Sequence, residues 1–402
     1  MTSSVKGPTR EEFSERLLRG SVKKYFEPVV DIDWDAPLDP DKFYLPPRLV
    51  SLYGTPLWDT MTREQQIELS KQEMVNTLST GIWFENILNQ GILRKLMHED
   101  PTSHETHYAL TEMGDETRHM VMFGKAISRM GAKPIQPKWF QRVIINAVPL
   151  GFKGSMLWVA ALMGEEIFDS LQRQMMDDPE LQPMIQRLMR IHVTEEARHI
   201  QFARDGIRKR VDELPRFSRW WLANINGVGG PFFRYIFSQP AMYRRVGIDW
   251  REARRVARNS PHRHEMQIQG FAPLAAFLEE VGLMGRGARW WWRRTNFLPA
   301  GTPGAVVDEA PVEAADDVYD GHANLKVADE EHAVRVRLTG RLDPVDGRYH
   351  WRGTIFGALP EDVLRRPEAL LTANGRTAAA RLTERTPQGG YSVTGVGAPP
   401  FG

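Results

Sequence analysis

Two short stretches of the chain carry the same chemistry: Asp115-Glu116-Thr117-Arg118-His119 and Glu195-Glu196-Ala197-Arg198-His199. Each contains Glu-x-x-His. Residues three apart share one face of a helix, so each pair can grip one metal ion. Glu85 precedes Glu116 by 31 residues, and Glu165 precedes Glu196 by the same 31. The equal spacing predicts a duplicated helical hairpin with a pseudo-two-fold axis through the site. Two single glutamates and two Glu-x-x-His pairs on four helices are the ligand set of carboxylate-bridged di-iron bundles. His192 lies four residues before Glu196 and seven before His199. It shares their face and offers one metal an extra nitrogen donor, which makes the two positions inequivalent. The expected metal ligands are Glu85, Glu116, His119, Glu165, His192, Glu196 and His199.

Glu166 competes with Glu165. Glu165 shares a helical face with Ala161 and Phe168, whereas Glu166 shares one with Asp169, Ser170 and Arg173, which reads as solvated; Glu165 is the expected ligand. Asp115 and Glu195 are expected to orient, each, a histidine of the opposite pair through its free ring N–H, with Arg118 and Arg198 pairing with these acids. Leu88, Asn89, Met120, Phe123, Phe168 and Phe202 stand one turn from the ligands and are candidates to line a substrate cavity; ordinary core packing is the competing reading. A lone Glu-x-x-His on a helix is usually a surface ion pair, but two copies with matched upstream glutamates and an aligned third histidine argue for a dinuclear site. Two divalent irons cancel four buried carboxylates that would otherwise be prohibitively costly. Hard carboxylates with imidazole suit iron, and admit manganese at one position.

The supporting elements follow from period and punctuation. Residues 1–58 are rich in prolines and turn formers and read as an irregular arm. Long helical patterns then run over Thr62–Glu99, Ser103–Met130, Gly151–Met176 and Pro183–Glu213, followed by Arg216–Phe237, Trp250–Arg258 and Arg263–Val281. The expected fold is mainly α, a ferritin-like four-helix bundle with extra helices over residues 59–298. A linker spans 299–317. Over 318–402 the period changes to two, with strands expected at Ala333–Leu338, Tyr349–Ile355, Ala378–Thr383 and Tyr391–Val396, giving a small all-β domain. The Trp290-Trp291-Trp292 run is expected to pack on the bundle.

Composition narrows the function. Cysteine is absent, which excludes thiolate chemistry, iron–sulfur clusters and cysteine-ligated haem. Net charge is +1, and no apolar run reaches the length of a membrane span. No signal peptide is legible, so the expected location is the cytoplasm.

These residues resemble the p-aminobenzoate N-oxygenase (AurF-like) family. The resemblance covers about residues 40–285 and rests on Ser51-Leu52-Tyr53-Gly54-Thr55-Pro56-Leu57-Trp58, Glu85, Asp115-Glu116-x-Arg118-His119, Glu165 and His192-x-x-x-Glu196-x-Arg198-His199. His192 is its most specific part, because acyl-carrier-protein desaturases share the paired motif without it. Glu195 stands where the family more usually has Asp. The resemblance implies a di-iron monooxygenase that binds O2 as a peroxo species and oxidises an amine, typically an arylamine. It implies two iron ions, a small-molecule amine substrate and an external electron donor such as a reductase or ferredoxin. No nucleic acid or membrane span is expected, and a homodimer is compatible. Residues Asp317–Pro399 resemble an actinobacterial domain of unknown function (DUF4873-like) that is also appended to flavin-dependent monooxygenases. The rival readings are a di-iron C–H hydroxylase or desaturase and a non-catalytic ferritin-like metal binder. A ribonucleotide reductase small subunit is disfavoured, since no tyrosine lies within two turns of the four glutamates along their own helices.

Overall fold

The computed structural model describes residues 9–151, 154–299, 319–327, 330–342, 349–357, 359–360, 363–365, 368–385 and 391–401. They fall in two compact units, one within Met1–Ser14 and Glu27–Pro311, the other within Glu15–Phe26 and Val312–Gly402. The expected linker, apart from residue 299, and the turn signals at 344–347 and 388–390 lie outside the described residues.

The seven helices that matter here are α1 (Arg10–Lys23), α2 (Arg63–Leu96), α3 (His104–Arg129), α4 (Trp139–Gly151), α5 (Ser155–Gln172), α6 (Pro183–Arg210) and α7 (Pro261–Glu280). Helix α2 starts at a capping box, Thr62 with Gln65, and α3 starts at Ser103, whose hydroxyl accepts the Thr106 N–H. Helix α6 starts with Pro183 in its first turn, where a missing N–H costs nothing. The 34 residues of α2 far exceed the usual helix of about 11–12. Helices α2 and α3 pack together, as do α5 and α6, and the hairpins meet through α2 with α5 and α3 with α6. Gly164 makes the α2–α5 approach possible: a Cβ there would sit 1.7 Å from the Phe84 ring, one residue from both Glu85 and Glu165.

Three helical segments depart from the sequence expectation here. Helix α1 lies inside the stretch read as irregular. Its start was legible, since Thr9 and Glu12 cap each other reciprocally: the Thr9 N–H donates to Glu12 and the Glu12 N–H to Thr9 Oγ1. Of the prolines in that stretch only Pro8 precedes it, and none falls within it. Helix α4, which carries an internal Pro149, was not among the helices expected from sequence. The segment Arg216–Phe237 is broken at Asn226–Val228 into two shorter helices. Trp292 is fully buried and stacks on Phe271 at 4.1 Å, whereas Trp290 remains 56% exposed.

The C-terminal unit contains a closed antiparallel barrel in the order β1-β2-β3-β6-β5-β4. Its strands are β1 (Tyr319–Val327), β2 (Glu330–Leu342), β3 (Tyr349–Phe356), β4 (Glu368–Ala373), β5 (Arg376–Arg385) and β6 (Tyr391–Val396). Leu325, Val336, Trp351, Ile355, Leu371 and Val393 fill its interior. Strands β1 and β4 were not among those expected from sequence. Closure leaves no free sheet edge among the described strands.

Candidate metal centre

The four long helices bring the two repeats face to face inside the bundle. Among the described residues, two sets of ligand atoms lie mutually within 4.8 Å: Glu85, His119, His192 and Glu196, and Glu116, Glu196 and His199. All six are buried. His119 Nδ1 lies 3.1 Å from Glu116 and 3.4 Å from Glu196, while His199 Nδ1 lies 2.9 Å from Glu116 and 3.5 Å from Glu196. Glu116 and Glu196 thus stand between the two histidines as bridging carboxylates would. His192 Nε2 approaches Glu85 at 3.5 Å and Glu196 at 3.4 Å, on the His119 side. Glu165 is outside both sets, yet it is buried and lines one small cavity with Glu85, His192 and Glu196.

The donor atoms are short of partners. Glu85 Oε2, Glu116 Oε1, both carboxylate oxygens of Glu165 and Glu196, His192 Nδ1 and His199 Nδ1 are buried without a hydrogen bond. His199 Nδ1 and Glu116 Oε1 are close, but not in hydrogen-bonding orientation. So many orphaned donors and acceptors in one place would be very costly in a plain core. Cations placed among them relieve that cost, and the mixed nitrogen and oxygen donors fit iron or manganese.

Outside the cluster the contacts cross between repeats. His119 Nε2 lies 2.9 Å from Glu195, and His199 Nε2 lies 3.2 Å from Asp115. With Nδ1 turned to the centre, Nε2–H is the donor and the acid the acceptor, which fixes each ring. Arg118 and Arg198 both bond Asp115 and lie 3.9 Å from Glu195.

Titration follows this crowding. Burial, and then Glu116 and Glu196, push the Glu85 carboxyl well above its usual range. Burial, then Glu196 and Glu112, do the same to Glu165. Burial would also raise Glu116, but the Glu85 carboxyl, the nearby His199 charge and a hydrogen bond with His119 hold it well below. Burial and the nearby His119 bring His192 down to about 4, so its ring is neutral and can offer a lone pair.

The sequence reading missed Glu112 and Tyr108. Glu112, four residues before Glu116, is 1% exposed, and Oε2 has no partner. Burial drives its carboxyl up to about 8 against the pull of His199, with Glu116 and Glu196 adding to the rise. Its signal was the offset that singled out His192. Tyr108 falls just beyond the two turns considered; it is fully buried, its hydroxyl lacks a partner, and its ring lies 4.6 Å from that of Phe202, tilted by 54°. Glu166 is also corrected: it is buried and paired with Arg204, because α7 covers the face of α5 that the sequence suggested was solvated.

Residues 7–282 match the p-aminobenzoate N-oxygenase AurF family, and residues 316–402 match a domain of unknown function, DUF4873. The chain belongs to the AurF family. The uncharacterized protein MT0908 of Mycobacterium tuberculosis is 30% identical over 70% of this chain and 86% of its own length. A second M. tuberculosis protein, Rv0943c, is 56% identical over 87 residues, 21% of this chain and 25% of its own. A point mutant of an R2-like ligand-binding oxidase, carrying a Mn/Fe cofactor, aligns over 71% of this chain and 96% of its own at 15% identity and a TM-score of 0.38. AurF-family membership and the buried cluster make the chain a dinuclear-metal oxidase.

One cavity in this AurF-family chain adjoins the cluster, and a second shares part of its wall. The inner one, about 20 Å³, is bounded by Glu85, Glu165, His192, Glu196 and Phe123 and has room for a water-sized species. An outer one, about 90 Å³, is mostly apolar, with Leu45, Leu171, Met175, Met242, Met266 and Phe297 in its wall. Thr77, Phe168 and Gln172 line both. Of the expected cavity residues, Phe123 and Phe168 contribute. Leu88, Asn89, Met120 and Phe202 are absent from both linings; Phe202 is instead packed between Tyr108 and Trp158. Helical phase placed them near the ligands but not on the side where α2 and α5 leave space. No described helix is long and apolar enough to cross a membrane.

Proposed function

We propose that this protein is a di-iron N-oxygenase that oxidises the nitrogen of a small, largely apolar amine, most simply an arylamine, using O2. The observation that carries this reading is His192. It is a buried, neutral third histidine among four glutamates, 3.5 Å from Glu85, in a chain of the N-oxygenase family. The residues that would hold the metals are Glu85, Glu116, His119, Glu165, His192, Glu196 and His199; manganese is an admissible occupant of one position. When bound, the metal pair supplies the electrons and Lewis acidity for oxygen activation.

The chain's own part is positioning and exclusion. Asp115 and Glu195 hold the histidine rings. Glu85, Glu116, Glu165 and Glu196, once ionised, would balance two divalent cations with their four charges. The outer cavity gives an apolar body a dry path, and Thr77, Phe168 and Gln172 form the neck through which an amino group reaches the inner cavity. Gln172 Oε1 is buried without a partner, so it can accept a hydrogen bond from an entering N–H. Reducing equivalents come from an external donor, since the chain has no cysteine. Residues 318–402 are proposed as a separate β module.

The test is direct. Iron-loaded full-length protein, reductant and O2 are incubated with a panel of arylamines, and products are followed by mass spectrometry. Hydroxylamine, nitroso or nitro products support the reading. Hydroxylation or desaturation at carbon, with the nitrogen untouched, overturns it in favour of a C–H oxidase.

A further inference from the structure

A single shift of 80 residues maps the first repeat onto the second. It carries Glu85 to Glu165, Asp115 to Glu195, Glu116 to Glu196, Arg118 to Arg198 and His119 to His199. Every one of these pairs keeps its chemical type. The same shift carries Glu112 to His192, and here the type changes. Both residues sit four positions before a bridging glutamate and seven before a histidine, so both face the cluster from their own helix.

His192 lies on the His119 side, with its ring 4.5 Å from that of His119 and its Nε2 beside Glu85. The two-fold relation assigns Glu112 to the other side, with His199 and Glu165, although neither glutamate belongs to the sets of ligand atoms that lie mutually within 4.8 Å. Glu112 is buried, and Oε2 has no hydrogen-bond partner there. His199 is the strongest charge acting on it, and Glu112 is in turn among the groups that perturb Glu165. A buried, partnerless carboxylate oxygen is rare in a native protein and calls for a reason. A cation on the His199 side supplies one.

We propose that Glu112 is an eighth metal-binding side chain, a carboxylate serving the His199-side ion in the place where His192 serves the His119-side ion. The proposal rests on the dinuclear reading above. It makes the two positions chemically distinct. One offers two imidazoles with Glu85; the other offers one imidazole with Glu165 and Glu112; both share Glu116 and Glu196. Oxygen-rich sites favour harder ions, so the Glu112 side is the position that accepts manganese, and the His192 side the one that prefers iron.

The experiment titrates full-length metal-free protein anaerobically with Mn(II) alone and counts bound ions by equilibrium dialysis and elemental analysis. Wild type is expected to bind two. Glu112→Gln, which preserves shape and removes charge, is expected to weaken one ion by about tenfold or more and leave the other unchanged. Combining it with His199→Gln affects that same ion and still leaves one bound, whereas combining it with His119→Gln abolishes both. Glu112→His is the second probe. It makes the two halves alike, and it is expected to keep two ions while shifting competition at the weaker position from Mn(II) towards Fe(II). Wild-type affinity for both ions in Glu112→Gln, together with an unchanged Mn(II)/Fe(II) preference in Glu112→His, overturns the role of Glu112 alone. Fewer than two ions in wild type overturns the dinuclear reading and this proposal with it.

Discussion

His119 on α3 donates its Nε2–H to Glu195 on α6, 2.9 Å away, and Glu195 is the immediate neighbour of Glu196. The outer partner of one histidine therefore comes from the helix that carries the opposite motif. His199 and Asp115 repeat the arrangement at 3.2 Å. Each repeat's cluster-facing histidine is held by the other repeat, so neither half of the cluster is complete alone.

That crossing predicts which ion each acid controls. Glu195→Gln is expected to weaken the His119-side ion, and Asp115→Asn the His199-side ion, by roughly 10–100-fold each. Anaerobic equilibrium dialysis reads the effect. Equal weakening of both ions by either variant would contradict the crossed pairing.

Burial favours the protonated forms of Glu85 and Glu165. Glu85 and Glu165 are shifted well above the usual carboxylate range, first by burial and then by neighbouring carboxylates. Their neutral forms stabilise the metal-free fold below the ordinary carboxylate range, and that contribution is lost as pH rises through the elevated values. Metal binding must expel these protons, so affinity is expected to rise with pH, about tenfold per pH step for each proton released. The gap in Tm between loaded and metal-free protein should widen in the same direction. Calorimetry in buffers of different ionisation enthalpy counts the protons; a buffer-independent heat would refute the coupling.

Glu73, away from the metal cluster, provides a separate pH test. It is buried, accepts hydrogen bonds from the Ser51 N–H and hydroxyl, and has its carboxyl pushed up to about 7 by burial. A raised acid favours the fold while neutral, so its contribution is complete below about 4.5 and lost as pH rises towards about 7. Glu73→Gln removes that dependence. Denaturant unfolding should show the variant gaining on wild type by roughly 3 kcal/mol between pH 4 and pH 8, the equivalent of the raised value. A constant difference across that range would show that Glu73 titrates normally.

Much of the centre was legible because metal chemistry leaves a periodic trace. Glu-x-x-His at equal spacing fixes type, face and partner together, and the capping signals at Thr62 and Ser103 set the helices that carry them. What escaped was information held between helices. Glu166 read as solvated because its own helix gives no hint that α7 covers it. Phe202 and Leu88 sit at the right phase but on the packed side. Glu112 was readable, since the offset that singled out His192 also reaches it; it was missed because a glutamate on a helix is ordinary where a histidine is not. Strand β4 is only six residues long, and its place in the barrel depends on partners distant in sequence.

The neck between the two cavities gives the last prediction. Thr77 lines both and sits one turn after Glu73 on α2, within the wall shared with Phe168 and Gln172. It coordinates nothing: its hydroxyl donates to the Glu73 carbonyl at 3.1 Å. Thr77→Phe adds a ring where the path narrows and removes only that local bond. Two bound ions per chain and an unchanged far-UV spectrum are therefore expected. The kcat/KM for a bulky arylamine should fall by about 10–100-fold, corresponding to roughly 1.4–2.7 kcal/mol of lost transition-state stabilisation. A smaller amine should lose less, because obstruction scales with size whereas damage to the metals does not. Equal losses for large and small amines would place substrate entry elsewhere, and a loss of metal would show that the neck supports the centre rather than the path to it.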